Sequence, residues 1–167
     1  LSDLGARTGE RLAQRMSAGR GILHSEKNDS WRLTGTPEHC DPVHFIQMWV
    51  LPDTPGINPG YQQLDINDQL DSTGLAVVAS GLAEHSHTTA IHIAQSRAGL
   101  LAGRLAPGER QGLPTAPRLH LFVAVGAVEL ESGERLEAGD SARMSESGGI
   151  AVTAGSAGAE ILVWQMH

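Results

Sequence analysis

Apolar and polar residues alternate along much of this chain, and the alternation predicts short β-strands. Residues 44–51 show it most clearly, because successive side chains of a strand leave opposite faces of the sheet. One face would carry His44, Ile46, Met48 and Val50, and the other Phe45, Gln47, Trp49 and Leu51. Both faces are largely apolar, which predicts a strand packed on both sides. Upstream, residues 12–26 predict two strands around a turn at Gly19 to Gly21, whereas residues 1 to about 11 predict a frayed end.

The second half of the chain predicts a series of short strands separated by turns. A short helix around Ile66 to Leu70 precedes it, and we place a domain boundary near residue 70. The predicted strands span residues 75–79, 90–94, 99–105, 119–125, 127–130, 142–144, 150–153 and 159–166. The predicted turns lie at Pro107-Gly108, Gly126, Ser132-Gly133, Gly139-Asp140 and Gly148-Gly149. Seven or more short strands at this spacing are typical of a jelly-roll sandwich or barrel.

The composition agrees with an all-β fold and limits the partners. The 167 residues include 20 glycines and 8 prolines, which suit many strands joined by tight turns. A formal charge of −7 with scattered basic residues argues against direct nucleic-acid binding, which requires clustered Lys and Arg. No apolar run approaches the roughly 20 residues that span a bilayer. The single cysteine, Cys40, fits a reducing compartment, so we expect a cytoplasmic protein without a membrane partner.

His24 and Glu26 are the candidate metal ligands of the chain. If residues 22–26 are extended, side chains two positions apart leave the same face, so an imidazole nitrogen and a carboxylate oxygen converge. This donor set suits Fe(II), Mn, Ni or Zn, and two histidines with one carboxylate are the usual non-haem iron arrangement. The alternative is a solvated strand on which a histidine and a glutamate happen to lie two apart. Only half of a complete ligand set is present in this segment.

Two ordered sequence blocks resemble the pirin-like family of the cupin superfamily. The first is Gln-Arg-Met-Ser-Ala-Gly-Arg-Gly-Ile-Leu-His-Ser-Glu-Lys-Asn at residues 14–28. The second joins Pro-Val-His-Phe-Ile-Gln-Met-Trp-Val-Leu-Pro at residues 42–52 to Gly-Ile-Asn-Pro-Gly-Tyr-Gln-Gln at residues 56–63. A weaker similarity to a second cupin half extends through residues 119–123 and 138–140. The resemblance therefore covers nearly the whole chain.

The resemblance implies a bicupin, with a partial N-terminal cupin over residues 1–70 and a complete C-terminal cupin over residues 71–167. In that family a metal is held by three histidines and one glutamate, of which His24 and Glu26 would be the last two ligands. The first two belong to a His-x-His segment, and nothing upstream of Leu12 contains a histidine. The chain also begins with Leu1 rather than Met. We expect either a truncated form or a natural short variant with an incomplete metal site.

The resemblance further implies a divalent metal, with Fe(II) preferred over Zn, Ni, Mn or Cu, and cleavage of flavonols such as quercetin by dioxygen. Glu26 would serve as ligand and candidate base, and the chain shown would have weak or no activity. The alternative is a non-enzymatic binding or regulatory protein. Strand edges left exposed by an incomplete barrel would favour a homodimer.

The remaining candidates have simpler interpretations. The His85-Ser86-His87 pair is predicted to lie in an exposed loop, His92 on one face of a strand, and His120 in a structural position. Gln47 has two open interpretations, either pointing into the first barrel beside the metal or buried and satisfied by the backbone. The turn at Gly19 to Gly21 lacks the context of a phosphate loop, and Cys40 beside His39 lacks the wider constellation of a nucleophile.

Overall fold

The computed structural model describes residues 2–7, 10–25, 43–72 and 74–167, and the chain divides into two compact units, Leu1–Asn67 and Asp68–His167. Strands dominate both units, as the alternation predicts. The limits of the two predicted cupin domains at residues 70 and 71 stay a prediction. No helix of the described residues is long and apolar enough to cross a membrane.

The N-terminal unit contains a four-stranded antiparallel sheet with the order β3-β1-β2-β4. Its strands are β1 (Ser2–Arg7), β2 (Glu10–Ser17), β3 (His44–Met48) and β4 (Gly60–Asp65). The prediction of a frayed end at residues 1 to about 11 is wrong for residues 2–7 and 10–11, because β1 pairs with β2 on one side and with β3 on the other. The partner β3 comes from a distant part of the chain and β2 follows β1 directly, and the polar composition of residues 2–7 reveals neither pairing.

Two further predictions for this unit require correction. Residues 21–25 have no regular secondary structure, although a second strand was predicted there. The strand predicted at residues 44–51 is present as β3, but it is not packed on both sides. Phe45 is 54% exposed and Trp49, which follows the strand, is 84% exposed. Within the described part of the chain, that face of β3 is not covered.

The C-terminal unit contains an eight-stranded, mainly antiparallel sheet with the central order β10-β9-β12-β7-β5-β6, to which β11 is added at β9 and β8 at β12. The short helix predicted near residue 66 is present as α1 (Asn67–Leu70). A single turn of 3-10 helix, η1 (Ala83–His85), follows β5. The strands are β5 (Ala76–Ser80), β6 (Ile91–His92), β7 (Ala98–Leu105), β8 (Arg110–Gly112), β9 (Ala116–Leu130), β10 (Arg135–Glu137), β11 (Ser141–Ser147) and β12 (Ala151–Met166).

Two pairs of predicted strands are continuous in the structure. Gly126 lies inside β9 rather than in the predicted turn, and β12 runs through Gly158. Both glycines have positive φ, 75° and 78°, and the β12 register is irregular beside them. A β-bulge accommodates an extra residue without ending the strand. This explains why Gly126, which was predicted to be a turn, lies within β9 and pairs with β12. β8 and β10 were not predicted.

The interior of the C-terminal unit is filled by apolar side chains. Leu121, Val123, Val152 and Val163 are completely buried there, and Leu101 and Ile161 join the same cluster. Burying one such side chain stabilises a fold by roughly 1.5–3 kcal/mol. This core holds β7, β9 and β12 together and leaves polar chemistry to the ends and outer faces of the sheet.

Candidate metal centre

A glycine turn joins the two sequence blocks of the N-terminal unit. The Gly21 amide donates to the Ala18 carbonyl at 2.8 Å and closes the turn after β2. The next contacts reach the second block, because the Arg20 amide donates to the Ile57 carbonyl at 3.1 Å and Arg20 Nη2 donates to Asn58 Oδ1 at 2.6 Å. A Cβ on Gly19 would lie 2.0 Å from the Ile57 oxygen. Only glycine therefore permits this close approach.

His24 follows this turn in the exposed segment Gly21 to Ser25. Its neighbours Ile22 and Leu23 are also exposed, and Leu23 is fully so. The other predicted ligand, Glu26, lies outside the described residues, as do Cys40 and His39. The predicted convergence of His24 and Glu26 therefore stays a prediction. That prediction assumed that residues 22–26 form a strand, in which side chains two positions apart share a face. Residues 21–25 do not form a strand, so the assumption fails for the described part of this segment.

The described residues do not form a metal site among themselves. Within residues 2–7, 10–25, 43–72 and 74–167, no three His, Cys, Asp or Glu side chains lie together in a way that could hold a metal ion. His24 is the one predicted ligand in these ranges.

One face of the N-terminal sheet carries a row of glutamine amides that the sequence analysis missed. The register of the ladders places Gln14 opposite Gln63, and aligns both with Gln47 through Asp3 of β1. Phe45 and Tyr61 lie on the same face, and Tyr61 OH donates to Gln63 Oε1 at 2.6 Å. The sequence shows that Phe45 and Gln47 are two positions apart, as are Tyr61 and Gln63. It does not show that the neighbouring strands align the glutamines with one another.

Gln47 is exposed in this row, so the interpretation as a buried glutamine satisfied by the backbone is wrong. The other interpretation, that it points into a barrel beside a metal, stays a prediction. Its amide can both donate and accept hydrogen bonds.

The histidines of the C-terminal unit occupy different environments. His87 is exposed as predicted, but His85 is not in an open loop: its imidazole is half-buried at the end of η1, with Nδ1 3.0 Å from Ser80 Oγ. His92 is exposed beside the buried Ile91, which confirms its place on one face of a strand. The earlier expectation for His85 was wrong because the turn of helix that holds it is too short to show a period in the sequence.

His120 is half-buried in β9, opposite Trp164 of β12 and Arg143 of β11. Burial lowers the pKa of its imidazole below the ordinary value of 6.5, and the positive charge of Arg143 lowers this pKa further. Both effects disfavour the charged imidazolium. The predicted structural position of His120 agrees with this placement.

Comparison with known proteins extends these observations. Residues 77–166 match a family model described as the quercetinase C-terminal cupin domain. A protein of Mycobacterium tuberculosis named "Putative quercetin 2,3-dioxygenase" is 47% identical over 156 residues, which is 93% of this chain and 59% of that protein. The chain therefore spans about three fifths of the length of this curated relative.

Solved structures show the same fold. The crystal structure of YhhW from Escherichia coli matches 99% of this chain and 67% of its own, with a TM-score of 0.75 and 22% identity. A second structure, described as the bacterial pirin YhhW in complex with nickel(II), matches with a TM-score of 0.73 and 22% identity. The all-β architecture is thus that of a cupin, with a partial N-terminal part.

The family model also shows to which family of the cupin superfamily the chain belongs. The matched model covers more than half of the chain and describes the C-terminal cupin of quercetinases. The chain belongs to this pirin-like family, as the two sequence blocks indicate.

Proposed function

We propose that this chain is part of a metal-dependent, pirin-like dioxygenase that cleaves flavonols such as quercetin. The observation that carries the proposal is the 47% identity, over 93% of the chain, to a protein named for that activity. The turn around Gly19 adds support, because it ties the segment bearing His24 to the second family block through Arg20 and Asn58.

In this proposal His24 and Glu26 bind a divalent metal. Fe(II) is the preferred ion, and the nickel complex of YhhW makes Ni(II) the first alternative, with Zn, Mn and Cu after it. Such a metal supplies Lewis acidity to the oxygens of a bound flavonol. Two protein ligands bind a metal less tightly than the complete set of the family, so we expect the isolated chain to show weak turnover or none.

In this proposal the row of glutamine amides on the N-terminal sheet provides a second set of contacts to the substrate. A flavonol is a flat, aromatic molecule with hydroxyl and carbonyl oxygens, and the amides of Gln14, Gln47 and Gln63 can donate to and accept from such groups. Phe45 and Tyr61 lie on the two outer strands and on opposite sides of the row, so three strand spacings across the sheet and four residues along it separate them by roughly 20 Å. Either aromatic ring can contact a planar ligand that is bound beside the glutamines.

The test measures bound metal and oxygen uptake on purified protein. Elemental analysis is followed by an oxygen-electrode assay with quercetin, for the parent chain and for His24→Ala. The control is His87→Ala, which removes an exposed histidine from the other unit. We expect His24→Ala to lower the metal content at least severalfold and His87→Ala to leave it unchanged. Equal loss in both variants, or full metal content in His24→Ala, would contradict the proposed ligand role.

A non-enzymatic binding function is the second candidate, and the exposed apolar side chains of the N-terminal unit favour it. Leu23, Trp49 and Leu51 are each more than four fifths exposed. Exposed apolar side chains mark interaction sites where they form a contiguous patch. We propose a homodimer as the partner arrangement. Sedimentation analysis of the parent chain and of Trp49→Ser should show a dimer that the substitution weakens, whereas a monomer at all concentrations would exclude it. Flavonol turnover without dimerisation would favour the enzyme.

A further inference from the structure

The outer face of the C-terminal sheet brings basic and aromatic side chains together on three neighbouring strands. β9 lies between β11 and β12, and the ladders place His120 directly between Arg143 and Trp164. Residues opposite each other in a ladder share a face, and the next residue along a strand points to the other face. These three side chains therefore point away from the buried core residues Leu121 and Val163.

The same alternation defines a surface that we call the arginine face. It consists of Ser145, Arg143 and Ser141 on β11, Arg118, His120 and Phe122 on β9, and Met166, Trp164 and Leu162 on β12.

The arginine face changes from polar to apolar across its three strands. Arg118 and the β11 residues are exposed, whereas Phe122, Trp164 and Met166 are half-buried and Leu162 is buried. A strip of aromatic and thioether side chains, partly open to solvent, thus lies beside two guanidinium groups. Arginine, tryptophan and methionine are the residue types that protein interfaces use more often than other surfaces do.

The two guanidinium groups of this face have no acidic partner among the described side chains. Arg104, Arg110 and Arg135 of the same unit each form an ion pair with a carboxylate. In the described part of the chain, Arg118 and Arg143 form neither an ion pair nor a side-chain hydrogen bond. Because the chain has 19 acidic and 12 basic residues, a shortage of carboxylates does not explain this difference.

Neighbouring groups do not offset the two positive charges. Burial lowers the pKa of His120, and the positive charge of Arg143 lowers this pKa further. Glu160, the carboxylate of β12, pairs with Arg104 instead, and Glu146 at the end of β11 pairs with neither arginine of the face. The arginine face is therefore a positive region on a protein of net negative charge, which favours an anionic partner.

The shape and spacing of the face favour a protein segment over a small molecule. Small-molecule sites are concave, whereas three neighbouring strands present an open surface about 10 Å wide. Arg118 and Arg143 are diagonal neighbours in the ladder of β9 and β11, roughly 7–8 Å apart. In an extended segment, side chains two positions apart share a face and are separated by about 6.6–6.8 Å. Two carboxylates at that spacing match the two guanidinium groups.

We propose that the arginine face binds an extended acidic segment of a partner protein. Two carboxylates, two residues apart in that segment, pair with Arg118 and Arg143, and an adjoining apolar side chain contacts Met166 and Trp164. A guanidinium offers a carboxylate a planar pair of donors, which fixes the position of the segment. The surface belongs to the C-terminal unit, and its role is independent of the metal site proposed around His24.

The test is an NMR titration of the isotopically labelled chain with the peptide acetyl-Thr-Glu-Thr-Glu-Thr-Leu-amide. A matched peptide carries glutamine in place of both glutamates. We expect the glutamate peptide alone to shift the amide signals of β9, β11 and β12, and its affinity to fall as salt screens the exposed charges. Arg118→Gln and Arg143→Gln should each weaken binding roughly threefold to fivefold, as for one exposed ion pair. The control Arg135→Gln removes an exposed arginine that already pairs with Glu137 and should leave the affinity unchanged.

Equal shifts with the glutamine peptide would overturn the proposal, as would shifts outside the arginine face or none at millimolar peptide. Unchanged affinity in both Arg118→Gln and Arg143→Gln would overturn it as well. A single-stranded oligonucleotide serves as the competitor, and if it displaces the labelled peptide more strongly than the unlabelled peptide does, the face binds nucleic acid and the proposal is wrong. Because both arginines are exposed, their substitution should leave the fold intact, and unchanged signals outside the face check this.

Discussion

The glycine turn before His24 provides a test of how the two family blocks are joined. Gly19 and Gly56 both have positive φ, 52° and 68°, and they lie on the two sides of the same contact. A Cβ on Gly19 would lie 2.0 Å from the Ile57 oxygen, whereas the nearest atom to a Cβ on Gly56 is Arg20 Cγ at 3.7 Å, an ordinary contact. Gly56→Ala is therefore a matched control that carries the backbone strain without the collision.

The expected magnitudes follow from these distances. The left-handed conformation costs an L-residue roughly 1–2 kcal/mol, which both variants share. Gly19→Ala must in addition move the Ile57 carbonyl by about 1 Å or more. This movement breaks its hydrogen bond with the Arg20 amide, a loss of about 0.5–1.5 kcal/mol. The accompanying overpacking adds about 1–3 kcal/mol. We expect Gly19→Ala to be less stable than Gly56→Ala by roughly 1.5–4.5 kcal/mol.

The assay combines urea unfolding, followed by circular dichroism, with amide hydrogen exchange that reports on each unit separately. Faster exchange in Gly19→Ala should be confined to the N-terminal unit, and its metal content should fall if His24 is a ligand. Equal destabilisation by Gly19→Ala and Gly56→Ala would refute the argument from the Ile57 contact. Unchanged exchange at the Arg20 amide in Gly19→Ala would refute it as well.

Three further predictions concern the C-terminal unit. The pKa of His120 is lower in the folded protein than its ordinary value of 6.5, so on acidification the unfolded chain takes up the proton first. The neutral His120 therefore contributes its full share of the folding stability above pH 6.5, and this share is lost as the pH falls through the pKa of the folded state. Urea unfolding of His120→Gln should lose less stability on acidification, and Arg143→Gln should narrow the affected pH range. Leu121→Ala in the closed core should cost about 2–5 kcal/mol in the same assay. Arg104→Met, which removes partly exposed ion pairs to Asp71 and Glu160, should cost only about 0.2–1 kcal/mol, and a larger loss would mean that these pairs are shielded from water.

The fold class could be predicted from the sequence because strand alternation and glycine turns are local signals. The strands at residues 99–105 and 142–144 were found within a few residues of their observed bounds. β1 was missed because its pairing with β2 and β3 is what makes it a strand, and no residue within Ser2–Arg7 indicates those partners. The candidate ligands His24 and Glu26 were predicted from the two family blocks and stay a prediction. The glutamine row depends on cross-strand register, which a single strand does not encode.

Glycines show the same division between local and distant information. Gly133 and Gly126 both have positive φ and both were read as turns, yet Gly133 lies in a turn and Gly126 lies within β9. The difference is the surroundings: a Cβ on Gly133 would meet nothing within 4 Å, whereas a Cβ on Gly126 would lie 2.1 Å from the Gly158 carbonyl oxygen of β12. Gly133 is needed for its local backbone conformation, whereas Gly126 is needed because two strands approach each other closely there. Sequence indicates that a glycine is required, and only the neighbouring strand indicates which requirement it meets.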